Sequence, residues 1–176
     1  MPPGLKITII IVASLIGLYL LFFLLVLFVI STFKKRLGKR QLALHLILQQ
    51  RKDIIVNMYA LALKEKIDFE KQLKSAIKKL QKDEERHIHE HDILLELSRI
   101  EKLSLDLINF LKTQRSFKKK EEFILFQKEL EELDELKRQH ISIYNHDVEG
   151  YNYWVRFLTY RYLFVLFKVE TKKRLE

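Results

Sequence analysis

The stretch RHIHEHD, residues 86–92, is the part of the chain whose residue types best suit metal chemistry. On a helix, His87 and His91 would lie one turn apart on the same face, with Glu84 one turn before His87. Imidazole and carboxylate groups are ligands for zinc and similar ions, which makes these three residues candidate metal ligands. The order differs from H-E-x-x-H, in which a glutamate directly follows the first histidine. The alternative is a solvated charged run at a helix end. We prefer that alternative and expect no metal and no other cofactor.

Two identical pairs, Tyr144-Asn145 and Tyr151-Asn152, are one heptad apart near the C-terminus. Seven residues are close to two helical turns, so both pairs would share one face of a helix. We interpret the tyrosines as packing residues whose hydroxyls reach water. Each asparagine amide would then hydrogen-bond to a neighbouring helix. A ligand site on this face is the alternative.

The composition favours long helices and offers no recognisable catalytic machinery. The 176 residues include four glycines and two prolines, and both prolines precede Gly4. Few turn residues argue against an all-β fold. The chain has no cysteine, which excludes disulfides, thiolate metal sites and cysteine nucleophiles. It also lacks a glycine-rich phosphate loop and a nucleophile elbow, so we predict no enzymatic activity and no catalytic residues.

An uncharged apolar run extends from Ile7 to Phe33. About 20 apolar residues suffice to cross a bilayer, and a signal peptide has a shorter apolar core, so the run predicts an uncleaved transmembrane anchor. Lys6 is the one charged side chain before it, whereas a basic cluster follows it directly. Under the positive-inside rule the N-terminus lies outside the cell membrane and the body lies in the cytoplasm. The cluster also suits anionic lipid headgroups, and topology explains it without nucleic acid. Its members are Lys34, Lys35, Arg36, Lys39 and Arg40.

Apolar residues recur at helical spacing in several stretches after the anchor. Each stripe covers one helix face, so the stripes must pack against each other. We therefore predict an all-α chain: a transmembrane helix, then an antiparallel bundle of three to four long helices. Its parts are a short outer N-terminus (1–6), the anchor (7–33) and the cytoplasmic bundle (34–176). The stripes begin at Leu44, Phe69, Ile93 and Phe123, and the polar stretch 113–122 is the clearest loop.

Two motifs resemble those of the LemA family. The segment YNHDVEGYNYWV is similar to the family pattern Y-N-x-x-V-x-x-Y-N, and RKDIIVNM is similar to R-x-D-L-I-P-N-L. Val56 stands where the second pattern has proline. The resemblance implies a divergent member: a membrane-anchored cytoplasmic helical bundle without established enzymatic activity. The motif positions are Arg51, Asp53, Asn57, Tyr144, Asn145, Val148, Tyr151 and Asn152.

Taken together, these features predict a single-pass plasma-membrane protein whose bundle acts as a protein-interaction or scaffold module. The protein partner is not identified, and a homo-oligomer is left open. One alternative is a metal-dependent membrane enzyme that uses His87 and His91. The other is a lipid-binding module that shapes membranes.

The stretch from Tyr153 to Phe167 is the most aromatic part of the body, and Arg156 and Arg161 interrupt it. It is too short and too charged for a second span. No proline occurs near Thr159, so we expect the last helix to continue past this residue. Its rings would then form an exposed contact surface, either for self-association, which we favour, or for the membrane interface. The alternative is that the rings complete the core. These rings belong to Trp154, Phe157, Tyr160, Phe164 and Phe167.

Overall fold

The computed structural model describes residues 2–82, 93–115, 117, 119–157 and 169–175. These residues form four α-helices and no strand: α1 (Pro3–Lys64), α2 (Lys71–Lys82), α3 (Ile93–Thr113) and α4 (Glu121–Arg156). The predicted fold class, an apolar N-terminal helix followed by a helical bundle, is confirmed.

Helix α1 joins the predicted anchor to the first helix of the body without interruption. The reason is local: no proline follows Pro3 in this segment, and Gly38 lies exposed within the helix. A single exposed glycine costs a helix only about 1 kcal/mol. The N-terminal part of α1 is long and apolar enough to cross a membrane, and little of it is buried.

The apolar stripes predicted from spacing form the core. Leu44, Ile55 and Met58 of α1 are fully buried, as are Leu107 and Leu111 of α3. The stripe of α4 is buried from Phe123 through Leu130, Leu133, Tyr144, Val148 and Tyr151 to Val155. The positions Leu158 and Tyr162, which would extend this stripe, lie outside the described residues.

The prediction that the last helix continues past Thr159 is wrong. Helix α4 ends at Arg156, and Phe157 already has a non-helical backbone. The chain later returns to α4, because residues 170–174 contact Glu149, Tyr151 and Asn152. We call residues 169–175 the tail. Helix α4 thus ends although neither glycine nor proline follows Arg156, and the tail packs against its last turns.

The structure divides into two compact units. One unit contains Met1–Lys39 and Tyr144–Arg174, and the other contains Arg40–Ile143 and Leu175–Glu176. We call them the terminal unit and the bundle unit.

In the bundle unit, α1 and α4 are antiparallel. Glu65 near the end of α1 pairs with Lys120 at the start of α4, while Arg51 contacts Leu130 and Asp134 further along. Aromatic rings also pack in this unit. The ring of Phe69 lies between those of Tyr59 and Phe110, at centroid distances of 4.9 and 5.2 Å. Such ring pairs add to the free energy gained by burial.

Candidate functional site

Arg51, the first residue of the motif RKDIIVNM (residues 51–58), is a buried cation in the bundle unit. Its side chain is 2% exposed. It pairs with Asp134 of α4, lies 4.0 Å from Glu101 of α3, and donates to the carbonyl of Leu130 over 3.4 Å. Lys137 Nζ completes the cluster, 2.6 Å from Glu101 and 3.8 Å from Asp134. Arg51 therefore links three helices through charges that the stripe pattern did not predict.

The hydrogen bonding of Arg51 is incomplete. Its Nε and Nη1 are buried and have no hydrogen-bond partner. Glu101 and Asp134 are about one-third exposed, so water screens the acidic side of the cluster but not the guanidinium. The cluster therefore holds one buried cation against acids from two other helices, so the loss of either acid would leave that charge less compensated.

A groove in the bundle unit is lined by residues of α1 and α4. It contains Asp53, the next position of the motif RKDIIVNM after Arg51. Asp53 lies in it with Glu129 and Glu132, and its volume is about 400 Å³. The apolar lining consists of Ile54, Leu133 and Leu136, the last 43% exposed; Gln50 completes it. We call this the acidic groove. It combines three carboxylates with an apolar floor and has no basic lining residue.

Asn57, the third residue of that motif, is exposed and lines a separate hollow of about 240 Å³ with Lys64, Glu122 and Phe126. Arg51, Asp53 and Asn57 thus point to three different environments. The earlier motif is not one catalytic constellation.

The Tyr-Asn motif lies in the terminal unit. Tyr144, Val148 and Tyr151 are each at most 2% exposed, which agrees with their interpretation as packing residues. The Tyr151 hydroxyl donates to the backbone carbonyl of Glu170 over 3.0 Å. Burial raises the pKa of Tyr151, and the negative charge of Glu170 raises it further.

The prediction that the amide of Asn152 hydrogen-bonds to a neighbouring helix is wrong. Its amide Nδ2 donates to the carbonyl of Lys172, and its Oδ1 accepts the N–H of the same residue, both over 2.8 Å. The partner is therefore the backbone of the tail and not a neighbouring helix. Nothing in the helical spacing could show this, because the contact involves residues outside the helix. Asn145 is half-buried on the same helix.

The basic cluster after the apolar run lies on α1. Lys34, Lys35, Arg36 and Lys39 are exposed and Arg40 is half-buried. The Arg36 guanidinium lies 5.8 Å from the centroid of the Phe33 ring, a distance that permits a cation–π contact.

The candidate metal ligands His87, His91 and Glu84 lie outside the described residues. Within the described ranges, no group of three His, Cys, Asp or Glu side chains is arranged to hold a metal ion.

No family model, no curated protein and no solved structure matches the chain. The resemblance to the LemA family therefore stays a prediction from the two motifs. The described residues define a class: a helical fold in which one helix is long and apolar enough to span a membrane.

Proposed function

We propose that this chain is a single-pass plasma-membrane protein whose cytoplasmic bundle binds another protein and catalyses no reaction. The observation that carries the proposal is the acidic groove. An apolar floor next to carboxylates, open to solvent on a packed bundle, suits an amphipathic helix with basic residues at its edges. Its lining offers no histidine, serine or lysine that could act as a nucleophile or base with the carboxylates.

Charge supports this choice of partner chemistry. Asp53, Glu129 and Glu132 place like charges around Ile54, Leu133 and Leu136. Opposite charge on a partner would speed encounter and fix its orientation, while the apolar floor supplies affinity. An acidic partner would be repelled by the three carboxylates, so the groove favours basic partners over acidic ones.

Photocrosslinking in native membranes tests the proposal. A photoreactive amino acid replaces Leu136, which lines the groove, or Leu125, which is 54% exposed on the same helix but does not line it. We expect a discrete adduct with one other protein at position 136 only. The substitutions Glu129→Lys and Glu132→Lys should abolish it, because they reverse the charge of the groove.

A smear at both positions, or an adduct that persists after charge reversal, contradicts a selective groove. An adduct of twice the mass of the chain alone shows that the occupant is a second copy, in which case the heterologous partner is wrong.

The orientation of the anchor has its own test. The basic cluster follows the apolar run, whereas Lys6 precedes it. A reporter enzyme that is active only outside the cytoplasm, fused after Glu176, should give no signal. High activity would place the body outside and reverse the topology.

A metal-dependent enzyme built on His87 and His91 is the competing function, and metal content distinguishes it. The full chain, purified in detergent without chelators, should carry less than about a tenth of a zinc or iron ion per chain if the stretch is a solvated run. Stoichiometric metal that is lost in His87→Ala would support the enzyme instead.

A further inference from the structure

We propose that the end of α4 and the tail form a surface that binds the headgroups of anionic lipids where the anchor leaves the bilayer. We call it the interfacial surface; it comprises Tyr153, Trp154, Arg156, Phe157, Lys172, Lys173 and Arg174. The inference rests on the membrane anchorage of the proposed function and is independent of any protein partner.

The exposure of α1 sets the depth at which the anchor ends. Side chains are exposed from Leu5 to Leu25, apart from half-buried Phe23, and Val26 is the first to be fully buried. Residues 5–25 correspond to about 30 Å of helix, the thickness of the hydrocarbon core. The apolar run continues to Phe33, and on its last turns Val26 and Ile30 are covered by protein, whereas Phe28 is 72% exposed. Protein therefore first packs against α1 at Val26, near the edge of the hydrocarbon.

A close helix contact brings α4 to the same level. Gly150 lies directly against the ring of Phe33, and a Cβ on this glycine would come within 2.6 Å of ring carbon Cζ. Glycine permits this approach because it has no side chain. From Gly150 to the end of α4 at Arg156 is about 9 Å of helix, so this end lies within two turns of Phe33.

The residues at that end have the chemistry of a membrane interface. The rings of Tyr153, Trp154 and Phe157 contact one another, with centroid distances of 5.6, 6.1 and 6.4 Å. Tyr153 is 63% exposed, and Arg156 beside it is also exposed. Trp and Tyr concentrate at headgroup depth, where the ring meets acyl chains and the polar atom meets water.

The tail adds positive charge one to two turns before that end of α4, beside Asn152 and Glu149. Tyr151 and Asn152 hold the backbone of Glu170 and Lys172, which positions the run Lys172, Lys173 and Arg174 beside α4. Lys173 and Arg174 are exposed, although Arg174 also pairs with Glu149. Basic residues near the surface of an anionic membrane are attracted to its headgroups.

Tyr160, Phe164 and Phe167, the other rings of the aromatic stretch, lie outside the described residues. A chain tethered at its N-terminus need not bring its far end to the bilayer, which would favour self-association of these rings. The contact of Gly150 with Phe33 instead holds the end of α4 close to the anchor.

The depth of Trp154 tests the inference directly, because it is the one tryptophan of the chain. The full chain is reconstituted into vesicles of phosphatidylcholine with or without phosphatidylglycerol. A fraction of the lipid carries bromine either near the headgroup end or near the methyl end of the acyl chains. We expect blue-shifted emission and quenching at least about twofold stronger from the shallow bromine than from the deep one.

Two variants serve as controls. Trp154→Phe gives the tyrosine background. The triple variant Lys172→Gln, Lys173→Gln and Arg174→Gln keeps the backbone contacts of the tail and should reduce shallow quenching in anionic vesicles while leaving neutral vesicles unchanged.

Three results would overturn the inference. Trp154 quenched by aqueous iodide and by neither brominated lipid would place it in water. Trp154 shielded from iodide and from both lipids would mean that protein covers it, for instance a second copy. A chain that does not float with the vesicles would also refute the anchorage itself, whereas in the first two cases the chain floats and the anchorage stands.

Discussion

Removing the acid from the Arg51 cluster should harm the fold more than removing the arginine. Asp134→Asn leaves a guanidinium that is 2% exposed, with Glu101 at 4.0 Å and a long bond to Leu130 as its contacts. A buried charge stripped of its partner typically costs 3–5 kcal/mol. Since Glu101 still neutralises part of this charge, we expect about 3 kcal/mol for Asp134→Asn.

Arg51→Met removes the buried charge and keeps most of the side-chain volume. The two acids left behind are about one-third exposed, and Lys137 lies 2.6 Å from one and 3.8 Å from the other. They retain water and a cation, so the substitution should change the free energy of unfolding by less than about 1 kcal/mol. The double variant should resemble Arg51→Met, because Asp134 then has no buried cation to serve.

Thermal unfolding of the full chain in detergent, followed by circular dichroism, measures the difference. At 2–4 °C per kcal/mol for a chain of this size, Asp134→Asn should lower Tm by about 6–12 °C and Arg51→Met by less than about 4 °C. If Arg51→Met is as damaging as Asp134→Asn, or if the two effects add in the double variant, the reasoning from exposure is wrong.

Three further predictions concern single positions, each read as a change in Tm. Tyr151→Phe deletes the hydroxyl that donates to the tail and should lower the free energy of unfolding by about 1 kcal/mol. Tyr151→Ala also empties a buried site and should lower it by about 3–5 kcal/mol. Equal losses of stability in the two variants would contradict the packing role. In Gly38→Ala the new methyl group has no atom within 4 Å, so the substitution should stabilise α1 by up to about 1 kcal/mol. In Gly150→Ala the methyl group would clash with the ring of Phe33, so no stabilisation is expected. A higher Tm for both variants would contradict the close contact. Burial and then the charge of Arg40 lower the pKa of His140 below 6.5, so the unfolded chain takes up the proton first and stability falls as the pH drops through 6.5. His140→Gln should therefore lose less Tm than the unaltered chain between about pH 7.5 and about pH 5.5, and identical losses would show that other groups set the acid sensitivity.

The helical stripes were predictable because burial on one side of a helix leaves a period in the sequence. Leu44, Leu107 and Val148 are buried as their spacing indicates. Phe117 was missed: it is fully buried in a polar loop, its ring 5.1 Å from that of Phe123. A lone aromatic among lysines has no period, so the same rule could not find it.

The site was less predictable than the fold for a related reason. Arg51 was singled out by a motif, but its partners Glu101, Asp134 and Lys137 come from α3 and α4. Helix α4 carries a run of acids, and Asp134 of this run pairs with Arg51; the others are Glu129, Glu131, Glu132 and Glu135. Which acid of the run would face the arginine depends on the rotation of two packed helices, which a single sequence does not specify.

The hydrogen bonds of Asn152 make the attachment of the tail independent of the charge of its side chains. Its amide pairs with the N–H and carbonyl of Lys172, groups that every residue except proline possesses. The attachment is therefore indifferent to the side chains at positions 172 and 173. Evolution could raise or lower the charge of the tail one residue at a time without a loss of attachment, and the one replacement of Lys172 that removes a bonding group is proline.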